Sequence, residues 1–155
     1  MWKNIVFVAL VVGLTSCGGK KAAMDSSNEN TKVVRSNSDN IKLGKNKVVS
    51  YKSLGNGVAS ISLHLFENNT FKFNFKSIPQ PDTNEKPTVI SEKGTYKIDG
   101  NWSVLNFKKP NFSLSAIFDK NYGDATQFKV LDDDTVKINT TKGVLPIWGV
   151  VCEKQ

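Results

Sequence analysis

The sequence predicts an all-β domain: an antiparallel meander of about eight to nine strands, closed into a small lipocalin-like barrel or folded as a β-sandwich. Three observations predict it. From Lys47 onward apolar and polar residues alternate with period two, the pattern of strands with one buried face. The alternating runs are separated by short clusters of Asn, Asp, Gly and Pro, which supply tight turns. No stretch there keeps apolar residues at helical spacing for even ten residues. Closure into a barrel removes exposed strand edges.

Val48 to Lys52 reads as a first short strand and Leu54-Gly55-Asn56-Gly57 as a turn. Ile61, Leu63 and Leu65 then alternate with Ser60, Ser62 and His64, and Phe71, Phe73 and Phe75 alternate with Lys72, Asn74 and Lys76. Residues directly opposite in an antiparallel pair share a face, so Leu65 must meet Phe71 and Leu63 must meet Phe73. That register leaves a three-residue loop, Glu67 to Asn69, with Asn69 left-handed. Pro79, Pro81 and Pro87 make 77–87 an extended, exposed loop. Val89 to Ile98 is the next strand. A two-residue loop at Gly100-Asn101 puts Tyr96 and Ile98 on one face with Leu105 and Phe107, and sends Trp102 and Val104 to the other. Phe112, Leu114, Ala116 and Phe118 read as a further alternating run, and Asp119 to Ala125 as a loop. Phe128 and Val130 meet Val136 and Ile138 across Asp132-Asp133-Asp134, and Ile147 to Cys152 is the last strand.

Ahead of this domain, residues 1–16 have a basic start at Lys3 and an uninterrupted apolar run from Ile5 to Leu14. The run falls short of the ~20 apolar residues that a membrane span needs, so it reads as a secretory signal. The ending Leu14-Thr15-Ser16-Cys17 resembles the lipobox of bacterial lipoproteins. The resemblance implies cleavage after Ser16 and acylation of Cys17 on its sulfur and its amine; this covalent lipid is the only cofactor expected. Residues 17–46 are polar and rich in Ser and Asn, and read as a linker, with Val33-Val34 and Ile41/Leu43 able to dock as an extra edge. The domain is assigned to 47–155.

Within it, three stretches carry a second resemblance: Leu63-His64-Leu65-Phe66-Glu67-Asn68-Asn69-Thr70-Phe71, Lys93-Gly94-Thr95-Tyr96-Lys97-Ile98-Asp99-Gly100-Asn101 and Phe128-Lys129-Val130-Leu131-Asp132-Asp133-Asp134-Thr135-Val136. They resemble the small lipocalin-like barrels of bacterial lipoproteins, including the N-terminal domain of NlpE-type proteins. The Cys-x-x-Cys of NlpE-type proteins is missing, so copper or redox sensing does not transfer.

The formal charge of +7 is spread thinly. Arg35 is the single arginine and the lysines are scattered, unlike the stripe of a nucleic-acid binder. The positive balance suits solubility and weak attraction to anionic headgroups. With Cys17 assigned to the lipid, Cys152 has no partner for an intrachain disulfide and reads as a small buried side chain. His64, the only histidine, lies on the polar face of its strand without companions for a zinc site. Asp132-Asp133-Asp134 reads as a turn. Asp119-Lys120-Asn121-Tyr122-Gly123-Asp124 opens like a calcium loop but has Gly123 where a ligand belongs and Val130 in place of the final Glu. Glu92 and Asp99 are the carboxylates available for acid/base work, with no cleft implied.

No catalytic set assembles, and the expectation is a non-enzymatic envelope lipoprotein, anchored by lipid at the outer membrane. Its domain would bind a protein partner through an exposed patch at Trp102 and Val104 or the nearby proline loop, unless Ile41 to Leu43 covers Trp102. The alternative is a carrier or sensor of a small apolar ligand in a lumen lined by Phe71, Phe73, Phe75, Tyr96 and Phe107. An eight-stranded barrel has room for side chains or one small ligand.

Overall fold

The computed structural model describes residues 32–34, 40–55 and 57–155; residues 1–16, read above as a signal, and Cys17 lie outside these. In chain order the elements are β1 (Lys32–Val34), β2 (Lys47–Ser53), β3 (Ala59–Phe66), β4 (Thr70–Ser77), β5 (Thr88–Asp99) and β6 (Trp102–Asn106). There follow α1 (Leu114–Ile117), β7 (Phe128–Val130), β8 (Thr135–Asn139), β9 (Val144–Ile147) and β10 (Val150–Lys154). Strands β2 to β10 form one antiparallel sheet in the order β7-β8-β6-β5-β4-β3-β2-β10-β9, bent into a nearly closed barrel. β1, from within the stretch read as linker, pairs parallel with Thr88–Ile90 of β5. Residues 42–46 also dock: Asn68 Nδ2 donates to the Lys42 carbonyl (3.2 Å), Gly44 N to Thr70 Oγ1 (3.2 Å) and Asn46 Nδ2 to Glu67 Oε2 (2.7 Å).

The β3–β4 hairpin has the register its apolar pattern demands, Leu65 opposite Phe71 and Leu63 opposite Phe73, with Asn69 at φ +58°. β5 and β6 join through Gly100-Asn101, with Tyr96 opposite Leu105. Beyond the turn the chain does not return directly: β6 pairs with β8, and β7 lies outside β8 with Phe128 opposite Ile138 and Val130 opposite Val136.

The structure corrects two expectations. Residues 114–117 form a helical turn, not part of a strand. Ser113 caps it by accepting from Ala116 N (3.3 Å), and the buried set is Leu114, Ile117 and Phe118, at three- and four-residue spacing. The last strand is in fact a hairpin. Ile147 pairs with Val150 across Trp148-Gly149, whose φ values of +53° and +69° make the paired left-handed turn that matches strand twist. Ile98 shares its strand face with Tyr96, as the turn predicts, and is 70% exposed because it sits beside the hairpin tip.

Side chains fill the barrel. Phe71, Phe73 and Phe107 are fully buried, with Phe107 4.7 Å from Phe71 and 6.0 Å from Phe73 between ring centroids. Phe112 and Phe118 flank Phe73 at 6.1 and 6.3 Å. Gln127, just ahead of β7, links the free edges β7 and β9: its carbonyl extends the β7–β8 ladder by accepting from Asn139 N (2.8 Å), and its Nε2 donates to the Val144 carbonyl of β9 (3.4 Å). Gly94, in the middle of β5, is buried opposite Phe71; a Cβ there would run into the Phe71 ring and the Asn106 carbonyl.

Two expected outcomes follow. Phe73→Ala should lower stability by about 3–5 kcal/mol, while Lys72→Ala on the opposite face stays within about 0.5 kcal/mol, both read by urea unfolding. Gly94→Ala should lower the melting temperature sharply. Gly143→Ala, whose added methyl meets nothing within 4 Å, should leave it unchanged.

Candidate functional site

All five residues expected to line a lumen, Phe71, Phe73, Phe75, Tyr96 and Phe107, face inward and are buried. They pack on one another and on α1 instead of enclosing an open cavity. Tyr96 also spends its hydroxyl on the fold, donating to the Phe66 carbonyl (2.8 Å). Accessible apolar space remains outside the packed interior, part of it at one end of the barrel.

There a cleft of about 540 Å³ opens where β4 ends and β5 begins. Its floor is Phe75, Ile90 and Ile117, and Trp148 stands at one wall with its ring 5.0 Å from that of Phe75 in an edge-to-face contact. Trp148 is fixed there by its turn and by its backbone N–H, which donates to the Ile117 carbonyl (2.6 Å). The opposite wall is the proline loop from Ile78 to Lys86, stitched to the sheet by Ile78 N donating to the Val58 carbonyl (2.7 Å). Val58 and Ile78 remain exposed at the rim, beside Gln80, Glu85 and Lys86. An apolar floor with a few polar groups at its edge suits a small apolar molecule or an apolar anchor side chain. A second concavity of about 570 Å³ lies beside β7 over Phe118 and Phe128, with Ala125 and Val130 beside Asp119, Lys120, Asp124 and Lys129 at its rim.

Trp102 and Val104 face outward, as expected, and both are half-buried. Lys137 lies across Trp102, its Nζ 5.3 Å from the ring centroid and 2.6 Å from Asp99 Oδ2. Val104 is flanked in register by Lys97 and Lys137. The contacts of 42–44 go to the β3–β4 tip, not to Trp102.

His64 departs from a freely exposed residue: it is only 8% exposed, and its Nδ1 shares a 2.7 Å hydrogen bond with Ser50 Oγ. Burial, then the nearby Lys47, Lys52 and Lys72, hold its pKa below the ordinary histidine value. Glu92 and Asp99 do not converge. Glu92 is fully buried on the inner face of β5, whereas Asp99 lies outside at the strand end.

The acidic clusters close their own turns. Asp119 Oδ1 accepts from Asn121 N (2.8 Å), Asp132 Oδ1 from Asp134 N (2.9 Å), and Asp124 Oδ1 from both N and Oγ1 of Thr126 (2.6 Å each). Among the described residues no group of three or more His, Cys, Asp and Glu side chains is placed to hold a metal ion.

Cys152 is fully buried on β10, and burial pushes its thiol up to about 12, against a smaller opposing pull from a backbone hydrogen bond at Ile147. An unfolded thiol ionises near ~8.5. The stability linked to this shift is therefore complete below about pH 8.5 and is lost as pH rises toward 12. Labelling with a thiol-specific disulfide reagent at pH 8 should leave Cys152 unmodified in the folded chain and modify it fully in guanidinium. Rapid labelling of the folded chain would contradict its placement.

Sequence reasoning missed Val58, Ile78, Ile117 and Trp148 as cleft residues. The available signals were an apolar residue leading into the proline loop and a Trp-Gly pair inside an apolar run. The chain matches no protein-family model, no curated protein and no solved structure, so the site stands on its own geometry.

Proposed function

We propose that the chain is a bacterial envelope lipoprotein, acylated on Cys17 and held at the outer membrane, whose lipocalin-like barrel is a non-catalytic module for binding a protein partner. The observation that carries the binding reading is the full interior: with Phe71, Phe73 and Phe107 packed together, apolar recognition belongs to the cleft between Trp148 and the proline loop. Exposed Val58 and Ile78 at its rim are the contacts a partner's apolar side chain would cover. The separation of Glu92 from Asp99 by the sheet favours binding over acid/base chemistry. The lipid anchor rests on the lipobox-like Leu14-Thr15-Ser16-Cys17, which fixes the tethered end ahead of β1.

The second reading is a carrier or sensor of a small apolar ligand, favoured by the cleft volume of about 540 Å³, which falls in the range of small-molecule sites. The ligand would then sit at the barrel end and not in the lumen.

Intact mass and fractionation test the anchor: the wild type should be membrane-bound with acyl mass on Cys17, and Cys17→Ser should lack both. A soluble, unacylated wild type would sink it. For the cleft, a photoactivatable residue at position 78 in native membranes should give one adduct of constant mass, lost on Trp148→Ala and retained on Trp102→Ala. No adduct at 78, with an apolar molecule copurifying and lost on Trp148→Ala, would replace the partner by a small ligand.

A further inference from the structure

The outer wall of β2 to β5 carries a charge pattern that the cleft does not use. Lys47, Lys52, Lys72, Lys76, Lys93 and Lys97 project from it. Of the two carboxylates on these strands, Glu92 faces inward and Asp99 sits at the far end of β5, held by Lys137. Ser50, His64, Lys72 and Lys93 form one straight row across the four strands, so Lys72 and Lys93 stand directly opposite each other. The wall therefore presents a row of basic side chains on its outer face.

The next row is Lys52, Ser62, Asn74 and Ser91, with Asn74 Nδ2 donating to Ser62 Oγ (3.1 Å) and Ser91 Oγ donating to Asn74 Oδ1 (3.1 Å). These short, hydrogen-bonded side chains lie among the longer lysines. Phe66, the aromatic residue on this wall, is buried, so no ring is offered for a base to stack on. A basic face that offers no exposed ring suits a diffuse layer of phosphates better than a nucleic-acid strand.

We infer that the β2–β5 wall is a membrane-docking face, laid by Lys47, Lys52, Lys72, Lys76, Lys93 and Lys97 on the anionic phospholipid headgroups of the membrane that carries the anchor. The inference rests on the lipid tether proposed above. At ~3.3–3.6 Å per extended residue, the chain between Cys17 and Lys32 keeps the sheet within about 50 Å of that surface. Attraction takes over when the wall comes within a Debye length, ~10 Å at 0.1 M salt. His64, buried in the lysine row, is a built-in reporter, because neutralising its neighbours relieves the pull that they exert on its imidazole.

The test uses residues 17–155 with Cys17→Ser, which contain every described residue and lack the acyl group, so the outcome is independent of whether Cys17 is lipidated. Binding is measured by cosedimentation with vesicles of phosphatidylglycerol and phosphatidylcholine, and with phosphatidylcholine alone. The expected result is binding to the anionic vesicles only, reversed by high salt and weakened at least ~10-fold by Lys72→Glu with Lys93→Glu. The control pair Lys120→Glu with Lys129→Glu, equal in charge change but on the loop and strand beside β7, beyond β6 and β8 from the wall, should weaken it less than ~2-fold. Should the first pair fail to melt like the parent, Lys52→Gln with Lys76→Gln at exposed positions replaces it. The His64 imidazole pKa, followed by NMR, should rise on the anionic vesicles. No binding to the anionic vesicles, equal losses for wall and control variants, an unmoved His64, or tighter binding to single-stranded DNA than to vesicles would each overturn the inference.

Discussion

The structure depends on a bare patch of backbone at Gly94. β5 is paired by β4 along its middle, by β6 over its second half and by β1 at its start, so it is the strand to which most of the sheet is referred. Opposite Gly94 stands Phe71, whose ring occupies the space a Cβ would take, close against the Asn106 carbonyl of β6. That approach sets the Phe71 ring against Phe107, and Phe73 packs on Phe107 one step along. Phe112 and Phe118, on either side of α1, then close over Phe73. A side chain at 94 would displace the first ring in this series and, through it, the seat of the helical turn.

The same packing decides where binding can occur. A barrel whose rings meet edge-to-face at 4.7 to 6.0 Å has spent its interior on stability. A concave apolar surface remains at the end, where Phe75 meets Trp148 and the proline loop stands off the sheet. Charge is sorted in a complementary way. Carboxylates cluster in turns, where Asp119, Asp124 and Asp132 close the chain on themselves, while lysines line the β2–β5 wall. The cleft at the end and the lysine wall are thus separate surfaces, free to engage different things.

Much of this fold is legible in the sequence, for a physical reason. Where one face of a strand is buried, a slip of one residue inverts every side chain, so the alternation of Leu63, Leu65, Phe71 and Phe73 dictates both register and loop length. The misreadings occur where period two is imitated. Leu114, Ala116 and Phe118 alternate on paper, but Ser113 caps a helical turn and the buried spacing is three and four. Trp148-Gly149 hides a turn inside an apolar run, since only the glycine signals it and the tryptophan adopts a left-handed φ that its type disfavours. The inward residues of the strands were identifiable by parity. Whether they line a lumen or fill it depends on ring-to-ring packing and on α1, neither of which has a sequence period. The cleft was invisible for the same reason: Val58 and Ile78 meet across the β3–β4 pair, but Ile117 and Trp148 come from distant segments brought to them only by closure of the barrel.

The central claim, that the barrel is plugged by its own aromatics and recognises from outside, is tested most directly by ring-to-ring nuclear Overhauser effects in phenylalanine-labelled protein, recorded before and after extraction with organic solvent. Direct cross-peaks from Phe107 to Phe71 and Phe73, unchanged by extraction, are expected from centroids 4.7 and 6.0 Å apart. Missing cross-peaks, or cross-peaks from these rings to protons of an extractable molecule, would show an occupied lumen and contradict it.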